Sequence, residues 1–208
     1  MYEQATRDWL ENIVIGLNLC PFAALEFDND RVRFAVTDAA TELHLLQALE
    51  SELQYLFGNA AVETTLLIHP QVLGDFANYN QFLDLAEGLL VQMNLEGVFQ
   101  IASFHPDYQF EGTQADDVEN YTNRSPYPTL HILREASLAR AIDATPDRSR
   151  RRVVDQIALL EMGLAGLLAP LPRTRLASAW LSLRRVWVGW RAASRACRGL
   201  GPPRQRGP

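Results

Sequence analysis

The sequence contains no lysine, and all 19 of its basic side chains are arginines. This absence excludes the chemistry that requires a lysine amine, namely Schiff-base and pyridoxal catalysis, and also the nucleotide-binding loop whose lysine reaches the terminal phosphates. The short signatures GxGxxG, HExxH, GxSxG and CxxC are missing as well. The commonest short catalytic signatures are therefore absent.

Cysteines are few and long apolar runs are absent. The two cysteines, Cys20 and Cys197, lie far apart, which is typical neither of a disulfide framework nor of a four-cysteine metal site. No apolar run approaches the roughly 18 to 20 residues that cross a bilayer. The first residues, MYEQATRDWLEN, lack the basic and then apolar pattern of a signal peptide. We therefore expect a cytoplasmic protein.

Acidic and basic residues are distributed unevenly. Residues 1–172 contain 10 arginines and all 25 carboxylates, a net charge of −15, whereas residues 173–208 contain nine arginines and no carboxylate. Because nucleic-acid binding requires a basic surface, we do not expect the acidic body to bind nucleic acid. The change in composition predicts one globular domain, residues 1–170, followed by a tail, residues 171–208, that is rich in arginine, tryptophan and proline.

Two interpretations of the tail remain open. An abrupt change in composition with arginine as the sole base is what an out-of-frame reading of a GC-rich gene would produce, and such a tail would be disordered. Alternatively, apolar residues recur at helical spacing at Leu176, Trp180, Leu183, Trp187 and Trp190. That pattern is typical of a basic amphipathic helix, and membrane contact is expected only in this second case.

The order of predicted elements favours an α/β fold. Strands are predicted for RVRFAV (31–36), VETTLLI (62–68), VFQIASF (98–104) and TLHIL (129–133). Helices are predicted over residues 3–18, from an N-cap at Asp38 to Gly58, over 76–93, over 134–143 and from Thr145 to about Leu168. This alternation predicts a single domain with a four-stranded, mainly parallel or mixed sheet and flanking helices. An α+β two-layer sandwich is the alternative.

Two of the predicted strands end in histidine followed by proline, at His69 and His105. If the strands are parallel neighbours, both histidines lie at the carboxyl edge of the sheet, where open α/β sheets place their ligands. The segment His105-Pro106-Asp107 could turn its imidazole and carboxylate to one side, as ligation of a divalent metal requires. The alternative is that histidine and proline only mark the ends of the strands.

The 24 residues between the third and fourth strands, 105–128, are unusually polar. A connection this long in a compact domain is most often functional, so we predict a small-molecule site there. The predicted catalytic residues are His105, Asp107 and His131; the predicted binding residues are Asn120, Asn123, Arg124 and Arg134; the candidate metal ligands are His105, Asp107, Asp116 and Asp117. We expect hydrolysis or group transfer on an anionic metabolite, and a non-catalytic ligand-binding or regulatory module is the alternative.

Each of these roles has a structural alternative. Arg124 and Arg134 could clamp an anion through bidentate hydrogen bonds, or they could hold the loop itself. His131 lies in an apolar strand, where a histidine is more often a hydrogen-bonded core residue than a ligand. Cys20 is expected to be structural, because it follows the carboxyl end of the first predicted helix, where the negative end of the helix dipole does not activate a thiol. Glu63 enters an apolar strand and needs an arginine partner if it is buried.

Five long segments carry a family resemblance: GLNLCPFA (16–23), ETTLLIHP (63–70), DFANYNQFLDLAEGLL (75–90), GVFQIASFHPDYQFEGT (97–113) and DDVENYTNRSPYPTLHILREASL (116–138). In this order and spacing they resemble a mainly bacterial family known as domain of unknown function 1415, over roughly residues 5–168. The resemblance implies a soluble single-domain protein and offers no catalytic residues to transfer. The tail does not resemble this family.

Overall fold

The computed structural model describes residues 1–20 and 22–144, with side chains placed up to residue 140. The predicted helix from Thr145 to about Leu168 and the tail, residues 171–208, lie outside the described residues. The helices are α1 (Tyr2–Trp9), α2 (Ala23–Asp28), α3 (Glu42–Gly58), α4 (Phe76–Gln92) and α5 (Glu135–Ala144), and the strands are β1 (Val32–Val36), β2 (Thr64–Ile68), β3 (Phe99–Phe104) and β4 (Thr129–Arg134). A π-helical segment, Leu10–Ile15, continues α1, and a 3-10 helix, Val118–Asn123, lies between β3 and β4.

The four strands form one mixed sheet in the order β1-β2-β4-β3. Strands β1 and β2 are parallel, whereas β4 is antiparallel to both β2 and β3. The predicted α/β class and mixed sheet are confirmed. The strands that precede His69 and His105 point the same way and end at the same edge, but they are not neighbours, because β4 lies between them.

Helices α3 and α4 cover one face of the sheet. Their buried residues pack against strand residues that face the same way: Leu45, Leu49, Leu53, Leu56, Tyr79, Phe82, Ala86, Leu89 and Leu90 meet Leu67, Phe99, Leu130 and Ile132. Burying each leucine contributes about 1.5 to 3 kcal/mol relative to exposure. This face therefore contains the main core.

The first helix and its π-helical continuation cover the other face, where Trp9, Leu10 and Val14 pack on Leu66. Adjacent Leu66 and Leu67 point to opposite faces because side chains alternate along a strand. Both faces of β2 are thus covered, which explains why all five of its residues are buried. Among the described residues, no helix has the length and apolar character needed to cross a membrane.

Side-chain caps fix where the two long helices begin. Thr41 accepts a hydrogen bond from the His44 N–H at 3.2 Å, and Asp75 accepts one from the Asn78 N–H at 3.0 Å. The prediction of Asp38 as the first cap was wrong: the cap is Thr41, three residues later, and the helix begins at Glu42. Threonine and aspartate are both good caps, so the local sequence does not distinguish between them.

The first predicted helix, residues 3–18, is α-helical only to Trp9 and then widens into the π-helical segment, which ends before Gly16. A Cβ atom at Gly16 would collide with the carbonyl oxygen of Asn12, so glycine is required at this turn.

The buried Glu63, just before β2, pairs with Arg31, just before β1. This ion pair confirms the expected arginine partner of Glu63.

Candidate functional site

A cleft of about 520 Å³ lies beyond the carboxyl ends of the parallel strands β1 and β2. Its two walls are the connections that lead from these strands into α3 and α4. The lining residues are Ala40, Thr41, Glu42 and Leu43 on one side and Val72, Leu73, Gly74, Asp75 and Asn78 on the other. Open α/β sheets place their ligands at this position, outside the carboxyl ends of the strands.

The starts of α3 and α4 supply hydrogen-bond donors to the cleft. Thr41 and Asp75 each satisfy one N–H of the first turn, and the remaining N–H groups of that turn have no partner within the helix. Both helices are 17 residues long, and their dipoles add partial positive charge at these starts. The carboxylates of Glu42 and Asp75 also line the cleft.

His105 lies behind the Leu73 wall of the cleft and is fully buried. Its Nε2 is 3.1 Å from the Leu73 carbonyl oxygen, and its Nδ1 accepts a hydrogen bond from the Asp107 N–H at 3.0 Å. An Nδ1 that accepts leaves the proton on Nε2, which donates to Leu73. Burial lowers the pKa of His105, with partial compensation from the Leu73 carbonyl. This imidazole is therefore neutral, with both nitrogens engaged.

His69 supports the same wall through Val72, the residue before Leu73. Its Nδ1 is 3.1 Å from the Val72 carbonyl oxygen, to which it donates. Its buried Nε2 has no hydrogen-bond partner among the described residues. Burial lowers the pKa of His69 to about 4, and the nearby His105 adds to this effect. The ring is thus neutral and carries one unsatisfied acceptor nitrogen.

Tyr79 packs its ring against both histidines. Its ring stacks on His69 with centroids 5.8 Å apart and lies 5.1 Å from that of His105. The hydroxyl accepts a hydrogen bond from the Phe104 N–H at 3.1 Å and donates to the Thr129 carbonyl at 2.9 Å. Phe104 and Thr129 are paired across the antiparallel strands β3 and β4. The α4 side chain therefore links the two strands at the edge that bears the histidines.

The polar residues of loop 105–128 bond largely to the loop itself. Asn120 is fully buried, and its Oδ1 accepts hydrogen bonds from the Phe110 N–H and the Thr113 hydroxyl, both at 2.9 Å. Its Nδ2 donates to the Gln114 carbonyl at 2.7 Å. This predicted binding residue therefore organises the loop, with both its amide oxygen and its amide nitrogen hydrogen-bonded.

The next two predicted binding residues also hold main-chain groups. Asn123 donates to the Ser103 carbonyl at 3.2 Å, which fastens the returning loop to the end of β3. Arg124 donates to the carbonyls of Tyr108 at 3.4 Å and Ala115 at 2.5 Å. Asn123 therefore binds the loop to β3, and Arg124 joins two parts of the loop to each other.

Arg134 lies at the opposite edge of the sheet. Its guanidinium donates to the carbonyls of Leu56 at 2.5 Å, in the last turn of α3, and of Asn59 at 3.0 Å and Val62 at 3.1 Å, beyond the end of that helix. It therefore satisfies carbonyl groups that the helix end leaves open. The structure does not bring Arg134 together with Arg124.

The candidate metal ligands are likewise not brought together as a set. The N–H of Asp107 is bound to His105, and Asp117 accepts a hydrogen bond from the Gln114 N–H at 2.8 Å. In the part of the chain that the structure describes, no three His, Cys, Asp or Glu side chains lie close enough to hold a metal ion. A metal role for His105, Asp107, Asp116 and Asp117 stays a prediction.

His131 lies on the face of the sheet that α1 covers. Its Nε2 is 2.7 Å from the Thr64 hydroxyl, and this hydroxyl donates its one hydrogen to the Ile132 carbonyl at 2.6 Å. The Thr64 oxygen must therefore accept from His131, so the imidazole is the donor. Its ring packs against Phe104, and burial lowers its pKa to about 4. These contacts are those of a hydrogen-bonded core histidine, and its predicted catalytic role stays untested.

The sequence reasoning missed the cleft, its wall residues and Tyr79. One signal was available: the connections TDAAT (37–41) and HPQVLGD (69–75) each follow a predicted strand, and each ends in a residue suited to cap a helix. Two such connections after parallel strands predict adjacent helix starts at the carboxyl edge. The density of polar residues favoured a site in loop 105–128 instead.

Comparison with known proteins identifies a family. Residues 1–164 match the model of the family described as "Protein of unknown function (DUF1415)". Searches of the curated proteins and of the solved structures returned no match. The match spans all the described helices and strands and continues for 20 residues beyond residue 144. The chain therefore belongs to the DUF1415 family.

Proposed function

We propose that this protein binds a small anionic molecule in the cleft between the starts of α3 and α4. The observation that carries the proposal is the position of this cleft at the carboxyl ends of the two parallel strands, with both walls built from strand-to-helix connections. Its volume of about 520 Å³ suits a metabolite.

The groups that line the cleft narrow the class of ligand. Two helix starts and the exposed Asn78 amide offer donors to an anionic group. The carboxylates of Glu42 and Asp75 lie in the same cleft and would repel a second negative charge. We therefore expect a ligand with one carboxylate and a neighbouring hydroxyl or amino donor, such as a small hydroxy acid or amino acid.

A second candidate is an enzyme that hydrolyses an anionic metabolite or transfers a group from it. The observation that favours it is the unpartnered Nε2 of the neutral His69, because a neutral imidazole nitrogen can accept a proton. His105 is less accessible to a ligand, which would have to displace one of the two hydrogen bonds of its imidazole. Catalysis by His105, Asp107 or His131 remains part of this second proposal.

Replacing Gly74 with tryptophan tests the binding site. Gly74 lines the cleft, and a Cβ atom added there would meet nothing within 4 Å, so a larger side chain can begin at this position without a clash. We expect lactate and L-alanine to raise the melting temperature of the unsubstituted protein, and Gly74→Trp to abolish this shift because the indole occupies the ligand's space. The measurement is a thermal melt of each protein with each compound. Acetate, which has the carboxylate but no hydroxyl or amino group, is the reference compound.

Gly88→Trp is the matched control. Gly88 lies within α4, away from the cleft lining, and also has open space around it. Its tryptophan variant should keep the full ligand-induced shift. An equal loss in both variants, or equal shifts in all three proteins, would contradict a site in this cleft.

A further inference from the structure

We propose that His69 and His105 are positioning residues that set the specificity of the cleft by holding two carbonyl groups of its wall away from the ligand. This inference rests on the proposed binding function and assigns that function's selectivity to two side chains that do not line the cleft. The relevant wall segment is residues 72–75.

The wall segment has a backbone conformation that requires support. Leu73 has a φ of 59°, in the left-handed region that non-glycine residues adopt only at an energetic cost. Its side chain is buried, which anchors the residue on one side. Such a conformation persists where the surroundings determine it, and it is often found at ligand sites.

The two imidazoles provide that support. His69 donates to the Val72 carbonyl and His105 to the Leu73 carbonyl, each at 3.1 Å. A free carbonyl oxygen in the cleft would repel an anion and attract a hydrogen-bond donor. With both carbonyls bound to the histidines, two main-chain acceptors of the wall are withdrawn from the ligand, which favours an oxyanion.

The polar loop 105–128 supports this arrangement indirectly. The His105 N–H donates to the Asn123 carbonyl at 3.2 Å, and the His105 carbonyl accepts from the Ser125 N–H at 3.4 Å. The imidazole is also held by the Asp107 N–H and packs against Phe76. The loop therefore fixes the histidine, and the histidine fixes the wall.

Paired substitutions separate the donated hydrogen bond from the bulk of the ring. His105→Gln places an amide N–H near the position of Nε2, and His69→Asn places one near Nδ1, whereas leucine at either position removes the donor. We expect His105→Leu and His69→Leu to weaken lactate binding roughly tenfold, because each frees a carbonyl that repels the anion. The amide variants should bind within about threefold of the unsubstituted protein. Isothermal titration calorimetry measures these affinities.

The outcomes distinguish this inference from the binding proposal. If both leucine variants bind lactate as the unsubstituted protein does while Gly74→Trp does not, the cleft is the site and the positioning role is refuted. If the amide variants bind as weakly as the leucine variants, the donors are not what matters, and the inference is overturned. The two positions are independent tests, so a variant that does not fold at one leaves the other decisive.

Discussion

Replacing Tyr79 with phenylalanine should lower the free energy of unfolding by about 2 to 4 kcal/mol. The substitution keeps the ring that packs against the two histidines and removes only the hydroxyl that links β3 to β4. That hydroxyl is buried and makes hydrogen bonds with the Phe104 N–H and the Thr129 carbonyl. Each buried group left without its partner costs about 1 to 3 kcal/mol.

Urea denaturation measures this loss, and Tyr55→Phe is the control. The Tyr55 side chain is 42% exposed on α3, and its hydroxyl accepts a hydrogen bond from Asn59, so water can replace the lost contact. We expect the control to change stability by less than about 0.5 kcal/mol. Equally small losses for both variants would mean that Tyr79 does not hold the two strands together.

Mild acid should also destabilise the protein strongly. Burial lowers the pKa of His69 and His131 from 6.5 to about 4, and it lowers that of His105 as well. As the pH falls below 6.5, the unfolded chain binds protons that the folded chain excludes, so stability is lost until the folded pKa is reached. Burial raises the pKa of Glu135, which acts in the opposite direction.

His69 alone should remove about 2 kcal/mol of stability between pH 7.5 and pH 5. His69→Asn keeps a donor for the Val72 carbonyl but has no proton to bind in this range. Urea denaturation at both pH values should therefore show a smaller acid loss for the variant than for the unsubstituted protein. The same loss in both proteins would mean that His69 does not resist protonation in the folded state.

Much of the fold could be predicted from the sequence because it depends on local patterns. Alternation along TLHIL predicts that His131 points to one face of the sheet and that Leu130 and Ile132 point to the other, as found. The position of β4 between β2 and β3 could not be predicted, because the pairing joins strands that are distant in sequence. The π-helical segment was also missed, since its apolar spacing is close to that of an ordinary amphipathic helix.

The candidate site was harder to predict, and the reason is physical. Asn120, Asn123, Arg124 and Arg134 are donors whose partners turn out to be main-chain carbonyls, mostly within the loop or at a helix end. Nothing in the sequence distinguishes a side chain that binds a ligand from one that binds the backbone. The cleft lies between two strand-to-helix connections, whose approach to each other depends on the pairing of β1 with β2 and not on any one local pattern.

Backbone amide chemical shifts test the central claim most directly. In ¹H–¹⁵N spectra recorded as lactate is added, the binding proposal predicts the largest changes at the N–H groups that begin α3 and α4, those of Glu42, Leu43, Phe76 and Ala77. The neighbouring wall residue Gly74 should respond with them. Changes confined to residues 105–128, with the two helix starts unaffected, would contradict the proposed site.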